Sequence, residues 1–295
     1  MKNANLKTKS FKIFLDSPLE GRKYNFLKHV IMIRLIMALV LQFNRSLRCR
    51  ILLSKEELFM EENCIVVENL SKSFNQKKVI DNLSFIVKKG EVFGLLGHNG
   101  AGKSTTIDLI LGLKQPDSGN TSIFGLNAVR NKKAVFENVG VQLQHTQYQA
   151  NITVEEICIE YSSLYNQPAD YIRLLEQFSL CNLKKNFVSK LSGGEKQKLS
   201  VVLALIGNPK IVFLDELTTG LDVEARHEVW NMLKELKQQG LTIFLTTHYM
   251  EEAEVLCDKI CILKNGVKIV EGSVDEVISK SNKKNLEEAY LFFMN

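Results

Sequence analysis

The sequence predicts an α/β fold built on a largely parallel sheet with a helical insert, and three observations carry that expectation. From residue 60 onward, apolar runs of four to seven residues alternate with helical patterns. The runs at 92–96 and 211–214 are almost continuously apolar, as strands covered on both faces are. Between 154 and 190 the pattern is helical with no convincing strand, which marks an insert in a sheet-based core.

The strand candidates, in order, are 65–68, 80–87, 92–96, 122–124, 139–142, 211–214, 242–246, 259–263 and 268–271. Asn265-Gly266 joins the last two, and both turn positions favour positive φ, so a hairpin is expected there. Ser273 with Glu276 three residues on reads as a capping box opening a short helix. No internal repeat occurs, so the chain carries one copy of its machinery.

Composition narrows the class. At 295 residues, 45% hydrophobic with 4 prolines, the chain can bury a real core, and low-complexity or collagen-like architectures are excluded. The net charge of +5 is unevenly placed. Residues 1–59 hold 12 of the 38 basic and 4 of the 33 acidic side chains, which leaves 26 against 29 in the rest. A slightly acidic body is no footprint for nucleic acid. The six cysteines form no CxxC pair and read as reduced, mostly buried thiols.

Residues 1–59 form a basic extension. Its most apolar stretch, 30–41, is interrupted by Arg34 and is too short to span a bilayer, for which about 20 residues are needed. It fits a secretory signal poorly. Two readings stay open: a disordered or non-native extension, or a basic amphipathic helix on a membrane surface. The organised pattern, expected to form one domain over 60–295, starts at Met60 with a helical subdomain at about 150–190.

Gly97-His98-Asn99-Gly100-Ala101-Gly102-Lys103-Ser104 fits GxxxxGK[ST] in full, after the strand 92–96 and before a helical run. Its glycines let backbone N–H groups turn inward around phosphate oxygens, and the helix that follows adds its positive end. Lys103 would neutralise the β and γ phosphates and Ser104 would ligate Mg²⁺, with Thr105 beside it; His98 reads as loop surface. The run at 211–214 ends in Asp215-Glu216, at the strand edge where open α/β sheets bind ligands. Asp215 would hold Mg²⁺ through water, and Glu216 would orient or deprotonate an attacking water.

Leu191-Ser192-Gly193-Gly194-Glu195-Lys196-Gln197 then falls between the helical insert and the acidic strand. With the motifs above, residues 60–295 resemble the nucleotide-binding domain of the ATP-binding cassette (ABC) superfamily. The resemblance implies a P-loop NTPase core with a mixed sheet, an antiparallel β subdomain and a helical insert. It implies that Ser192, Gly193 and Gly194 cradle the ATP held by an opposite subunit, so that a homodimer or heterodimer closes around nucleotide. Gly220-Leu221-Asp222 resembles the D-loop, Thr246-Thr247-His248 the strand end carrying the switch histidine, and Gln144 the Q-loop glutamine that joins the Mg²⁺ shell. Gln142 and Gln147 compete with Gln144 for that role. Phe74 resembles the aromatic that stacks on adenine.

Two positions depart from the family pattern: Glu195 stands for the usual Gln, and Leu217 for the usual Pro. Loss of proline is expected to loosen the turn that carries Asp222. Neither change removes a group expected to touch phosphate, so hydrolysis is expected.

The segments 98–106, 247–254 and 286–290 are similar to ATPase subunits of bacterial drug and antibiotic exporters. That resemblance implies a peripheral ATPase on the cytoplasmic face of the membrane, working with a separate integral membrane permease and no nucleic acid. The alternatives are a soluble ABC ATPase acting on ribosomes or DNA, and an importer ATPase.

Overall fold

The structure, a computed structural model, describes residues 62–142 and 148–295. The expected extension 1–59, Gln144 and Gln147 lie outside those residues. In chain order the elements are β1 (Asn63–Phe74), β2 (Lys77–Lys88), β3 (Val92–Leu96), α1 (Lys103–Ile110), β4 (Ser118–Ile123), α2 (Lys132–Phe136) and β5 (Val139–Gln142). Then follow α3 (Val154–Ser162), α4 (Tyr171–Gln177), α5 (Gly193–Leu205), β6 (Ile211–Asp215), α6 (Val223–Gln238), β7 (Thr242–Thr247) and α7 (Met250–Leu256). The chain closes with β8 (Lys259–Lys264), β9 (Val267–Ser273), α8 (Val274–Ser281) and α9 (Leu286–Met294).

A six-stranded sheet has the order β5-β6-β7-β3-β8-β9, parallel except for its last strand, which returns through the hairpin at Asn265-Gly266. Asn265 and Gly266 take φ of 51° and 81°, the pair of positive values that a tight hairpin twist demands. A separate antiparallel sheet has the order β2-β1-β4. The fold is thus the expected α/β type with a mixed sheet and an antiparallel one.

Strand alternation gives the large sheet two buried faces. Val212, Leu214, Ile243 and Leu245 pack with Val202 of α5 and with Trp230 and Leu233 of α6. Phe213, Phe244 and Phe93 face the other way, among Ile65 and Phe85 of the antiparallel sheet and Ile107 of α1. Those phenyl rings form a ladder across three neighbouring strands. Phe213 and Phe244 lie 5.3 Å apart, Phe244 and Phe93 5.6 Å, and Phe85 covers Phe93 at 5.0 Å. A register slip would turn the ring of that strand to the other face, so the ladder fixes β6, β7 and β3 relative to one another.

The two largest departures from the expected strand bounds, at β1 and β4, have local reasons. β1 runs well past 68 because irregular pairing between Val67 and Leu70, with Asn69 at φ 49°, lets the ladder continue. β4 covers Ser118–Ile123 rather than 122–124, because Phe124 and Gly125 take φ of 49° and 74° and turn the chain. The capping box holds: the Glu276 N–H donates to Ser273 Oγ at 3.2 Å, and the Ser273 N–H to Glu276 Oε2 at 3.0 Å. Burial pushes the thiols of Cys64, Cys158 and Cys261 up to about 12, so they stay protonated at neutral pH.

Candidate functional site

Because β7 sits between β6 and β3, the carboxyl ends of these three strands deliver their following residues to one place. Asp215 pairs with Thr246 and Leu96 with Thr247, so the loops after them are neighbours. The cleft there, about 320 Å³, is lined by Val79, Asn99, Gly100, Gly102, Lys103, Ser104, Thr105 and Glu216. Gly102 opens α1 with φ 107°, and a Cβ on it would come 2.5 Å from Ile80 Cδ1. Only glycine satisfies both the conformation and the space.

The loop is braced from behind. The Ala101 carbonyl accepts from the Gly266 N–H at 3.0 Å, and the Gly266 carbonyl accepts from the Asp81 N–H at 2.9 Å. The tip of the β8–β9 hairpin therefore ties the phosphate-type loop to β2. Among the predicted loop residues, His98, Asn99, Gly100 and Ser104 are exposed, while Gly97, Ala101, Gly102 and Lys103 are buried.

Lys103, 4% exposed, donates from Nζ to the Gly97 carbonyl at 2.8 Å and to the His98 carbonyl at 3.3 Å. It also pairs with Glu216 Oε1 at 3.0 Å. That same carboxylate oxygen lies 3.6 Å from His248 Nδ1. Three groups read separately from the sequence thus converge on one point. A buried ammonium must be compensated, and here two carbonyls and a carboxylate do so. An anion of higher charge would compete with Glu216 for it.

Glu216 holds its place at a cost. Its φ is 50°, a conformation of about 1–3 kcal/mol strain for a residue with a side chain. The Glu216 N–H donates to the carbonyl and to Oγ1 of Thr246, both at 3.1 Å. The Thr246 hydroxyl in turn donates to Asp215 Oδ1. The Asp215 N–H donates to Gln142 Oε1 at 3.1 Å. Both carboxylates are buried, Asp215 at 4% and Glu216 at 8% exposure.

At Leu217, where loss of proline is expected to loosen the turn, packing and hydrogen bonds restrain the chain. Leu217 is 3% exposed within the apolar core beside α5 and α6, and the turn is closed by hydrogen bonds from Thr219 to Glu216 and from Leu221 to Thr218. Side-chain burial replaces the backbone restraint of proline.

The other predicted residues stand apart from the cleft. Ser192 caps α5 with a reciprocal box. The Glu195 N–H donates to Ser192 Oγ at 3.2 Å, and the Ser192 N–H to Glu195 Oε2 at 2.7 Å. Ser192 and Gly193 are exposed, Gly194 is half-buried, and none of the three lines the cleft. Asp222 caps α6 through the Ala225 N–H at 2.8 Å. Phe74 ends β1, 38% exposed, with the ammoniums of Lys72 and Lys114 at 5.5 and 5.4 Å from its ring centre. The residue from that sheet that lines the cleft is Val79.

Sequence reasoning missed Val79, Gln142 as the partner of Asp215, and Thr246 as the link between the two carboxylates. Thr246 alone had a legible signal, its place beside Thr247 and His248 at a strand end. As for a metal, the Ser104 hydroxyl and the Asp215 carboxylate are hard oxygen donors, which suit Mg²⁺. No group of three or more His, Cys, Asp or Glu among the described residues is assembled to hold a metal.

Comparisons with known proteins agree with the geometry. A family model described as "ABC transporter" matches residues 80–219, and one described as "AAA domain, putative AbiEii toxin, Type IV TA system" matches 188–252. The chain is 40% identical over 227 residues to the Nod factor export ATP-binding protein I of Burkholderia orbicola, covering 75% of each chain. It is equally identical over 232 residues to that of Rhizobium etli, covering 77% of this chain and 73% of the relative. Among solved structures, the ATP binding subunit of an ABC transporter superposes with a TM-score of 0.72 at 31% identity, over 79% of this chain and 100% of that one. An ATP-binding cassette in its ADP conformation gives 0.66 at 26%, over 78% and 98%. The chain belongs to the ABC transporter family, as an ATP-binding subunit with ATPase activity.

Proposed function

We propose that this subunit powers export of a small molecule through a separate integral membrane permease, docked on the cytoplasmic face and dimerising around ATP. The observation that carries the chemistry is the meeting of Lys103 and His248 on one oxygen of Glu216, at 3.0 and 3.6 Å. Lys103 neutralises the β and γ phosphates, which draws its ammonium from Glu216. The freed carboxylate takes a proton from the attacking water, whose oxygen bonds to the γ phosphorus as the bond to ADP breaks. His248 contacts the γ phosphate and holds the site closed. Ser104, Asp215 and Gln144 would hold Mg²⁺, which supplies charge neutralisation between the phosphates.

Dimerisation is supported by where the signature stands. The α5 end at Ser192–Gly194 is exposed and lines no part of its own chain's cleft, so a second chain is needed to bring it to the phosphates. Asp222 would sit in that interface, and Phe74 would stack on adenine if its lysine neighbours yield. Export is supported by the names of the relatives. Among the described residues no helix is long and apolar enough to cross a membrane, which is consistent with a path supplied by a separate permease.

Glu216→Gln tests the chemistry: ATP binding is kept, and turnover falls by about 10²–10⁴-fold, the usual contribution of a general base. Wild-type turnover in that variant would remove Glu216 from the role. Capture of the tagged full chain in mild detergent tests the partner. A multi-spanning protein retained in near-equal amount supports the transporter reading, while ribosomal or DNA-processing proteins without one defeat it.

A further inference from the structure

Glu252 stands on α7, four residues past His248, and lines no part of the cleft. Glu252 is 3% exposed, and its hydrogen-bond donors among the described residues are neutral. Glu252 Oε1 accepts from the Thr218 hydroxyl at 2.9 Å and from the Trp230 indole N–H at 3.1 Å. Thr218 lies two residues past Glu216, and Trp230 lies on α6, the helix capped by Asp222. One oxygen therefore joins the segment after β7, the segment after β6 and the D-loop helix. A buried carboxylate with only neutral donors is costly where a leucine would pack freely, so its position needs a reason beyond stability.

A second contact runs alongside it. The Arg226 guanidinium on α6 lies 4.5 Å from the Tyr249 ring centre, and its Nη2 donates to the Leu221 carbonyl at 3.4 Å. The Tyr249 ring lies 4.3 Å from that of His248. α6 thus touches the switch segment twice, once on each side of Met250.

We propose that Glu252 is a positioning residue: by clamping Thr218 and Trp230 it fixes His248 against Glu216 and passes movement of the Asp222 segment to the histidine. The proposal rests on the roles given above to Glu216 and His248. Glu252 itself touches no phosphate, so it acts on turnover rather than on nucleotide affinity.

Trp230 is the only tryptophan of the chain, so its emission reports this clamp directly. The test uses the full chain with Glu252→Ala, Glu252→Gln and Thr218→Val, reading kcat, the KM for ATP and Trp230 emission with and without Mg-ATP. Misplacing a group by about 1 Å can cost about 10²-fold in rate. Glu252→Ala is therefore expected to lower kcat by about 10- to 100-fold with the KM for ATP changed less than about threefold, and to abolish the emission response to nucleotide. Glu252→Gln, which keeps an oxygen able to accept both bonds, is expected to recover most of the lost kcat. Thr218→Val removes a single hydroxyl and is expected to lower kcat in the same direction, which decides the matter if Glu252→Ala does not fold.

Wild-type kcat in both Glu252→Ala and Thr218→Val, or a Glu252→Gln no better than the alanine variant, would overturn the proposal. Glu216→Gln and His248→Ala run beside them. If those two also turn over at the wild-type rate, the site reading itself falls and takes the clamp with it. If only they lose activity, the clamp alone is wrong.

Discussion

The molecule has two helix ends suited to phosphate, and they are built in opposite ways. α1 starts at Gly102 in a left-handed conformation, with no side-chain cap and no acid in its first turn. Its positive end faces a cleft that also holds the Lys103 ammonium. α5 starts at Ser192 with a closed capping box, and Glu195 places an acid in its first turn. The first end leaves its N–H groups and its charge for a ligand. The second satisfies part of its own and is exposed. In the proposed dimer, a site assembled from both would be asymmetric: the α1 end would bind nucleotide first, and the α5 end would add what the bound nucleotide still lacks.

Lys103→Ala breaks the strong half. It removes the side-chain ammonium among the described residues that line the cleft and leaves Glu216 buried without that partner, so ATP hydrolysis is expected to fall below about one hundredth of wild type. A steady-state ATPase assay checks it, and activity within tenfold of wild type would contradict the role. Ser192→Ala breaks the weak half. Loss of the cap is expected to cost about 1 kcal/mol of stability, read by denaturant unfolding, while nucleotide binding to the isolated subunit is unchanged. Equal loss of binding in both variants would mean that the two ends belong to one site within one chain.

Glu195→Gln sharpens the comparison with the smallest effect. Glutamine can keep the box closed, so stability should hold. Removing the acid from the helix end should favour the approach of phosphate by about 0.3–1 kcal/mol, which is a two- to fivefold lower KM for ATP at low salt. An increase in KM would show instead that the carboxylate makes a contact glutamine cannot.

The legibility of the sequence follows the same divide. Gly97 to Ser104, Asp215 and Glu216 could be read because phosphate chemistry needs those residue types at short spacing along one strand–loop–helix. β3 could be bounded to the residue because buried parallel strands are nearly all apolar. β1 could not, since its bulge at Asn69 breaks the alternation that would mark a long strand. The contacts that Thr246, Gln142 and Glu252 make could not be read from the sequence, for another reason. Their partners lie 31, 73 and 34 residues away in sequence, and only the strand order brings them together. The burial of Leu217 could not be read either, because it depends on packing against α5 and α6.

The hairpin tip at Gly266 has a consequence for how this chain can vary. A two-residue turn at the edge of a sheet is where insertions, tags and sequence drift are ordinarily tolerated. Here the turn is a keystone: its N–H meets Ala101, its carbonyl meets Asp81, and a Cβ on Gly266 would come 2.1 Å from the Val79 carbonyl. A peptide spliced into that turn would therefore be felt as a deformation of the nucleotide loop. The tip, with Asn265 exposed and Gly266 buried, is as constrained, and as poor a grafting point, as the core.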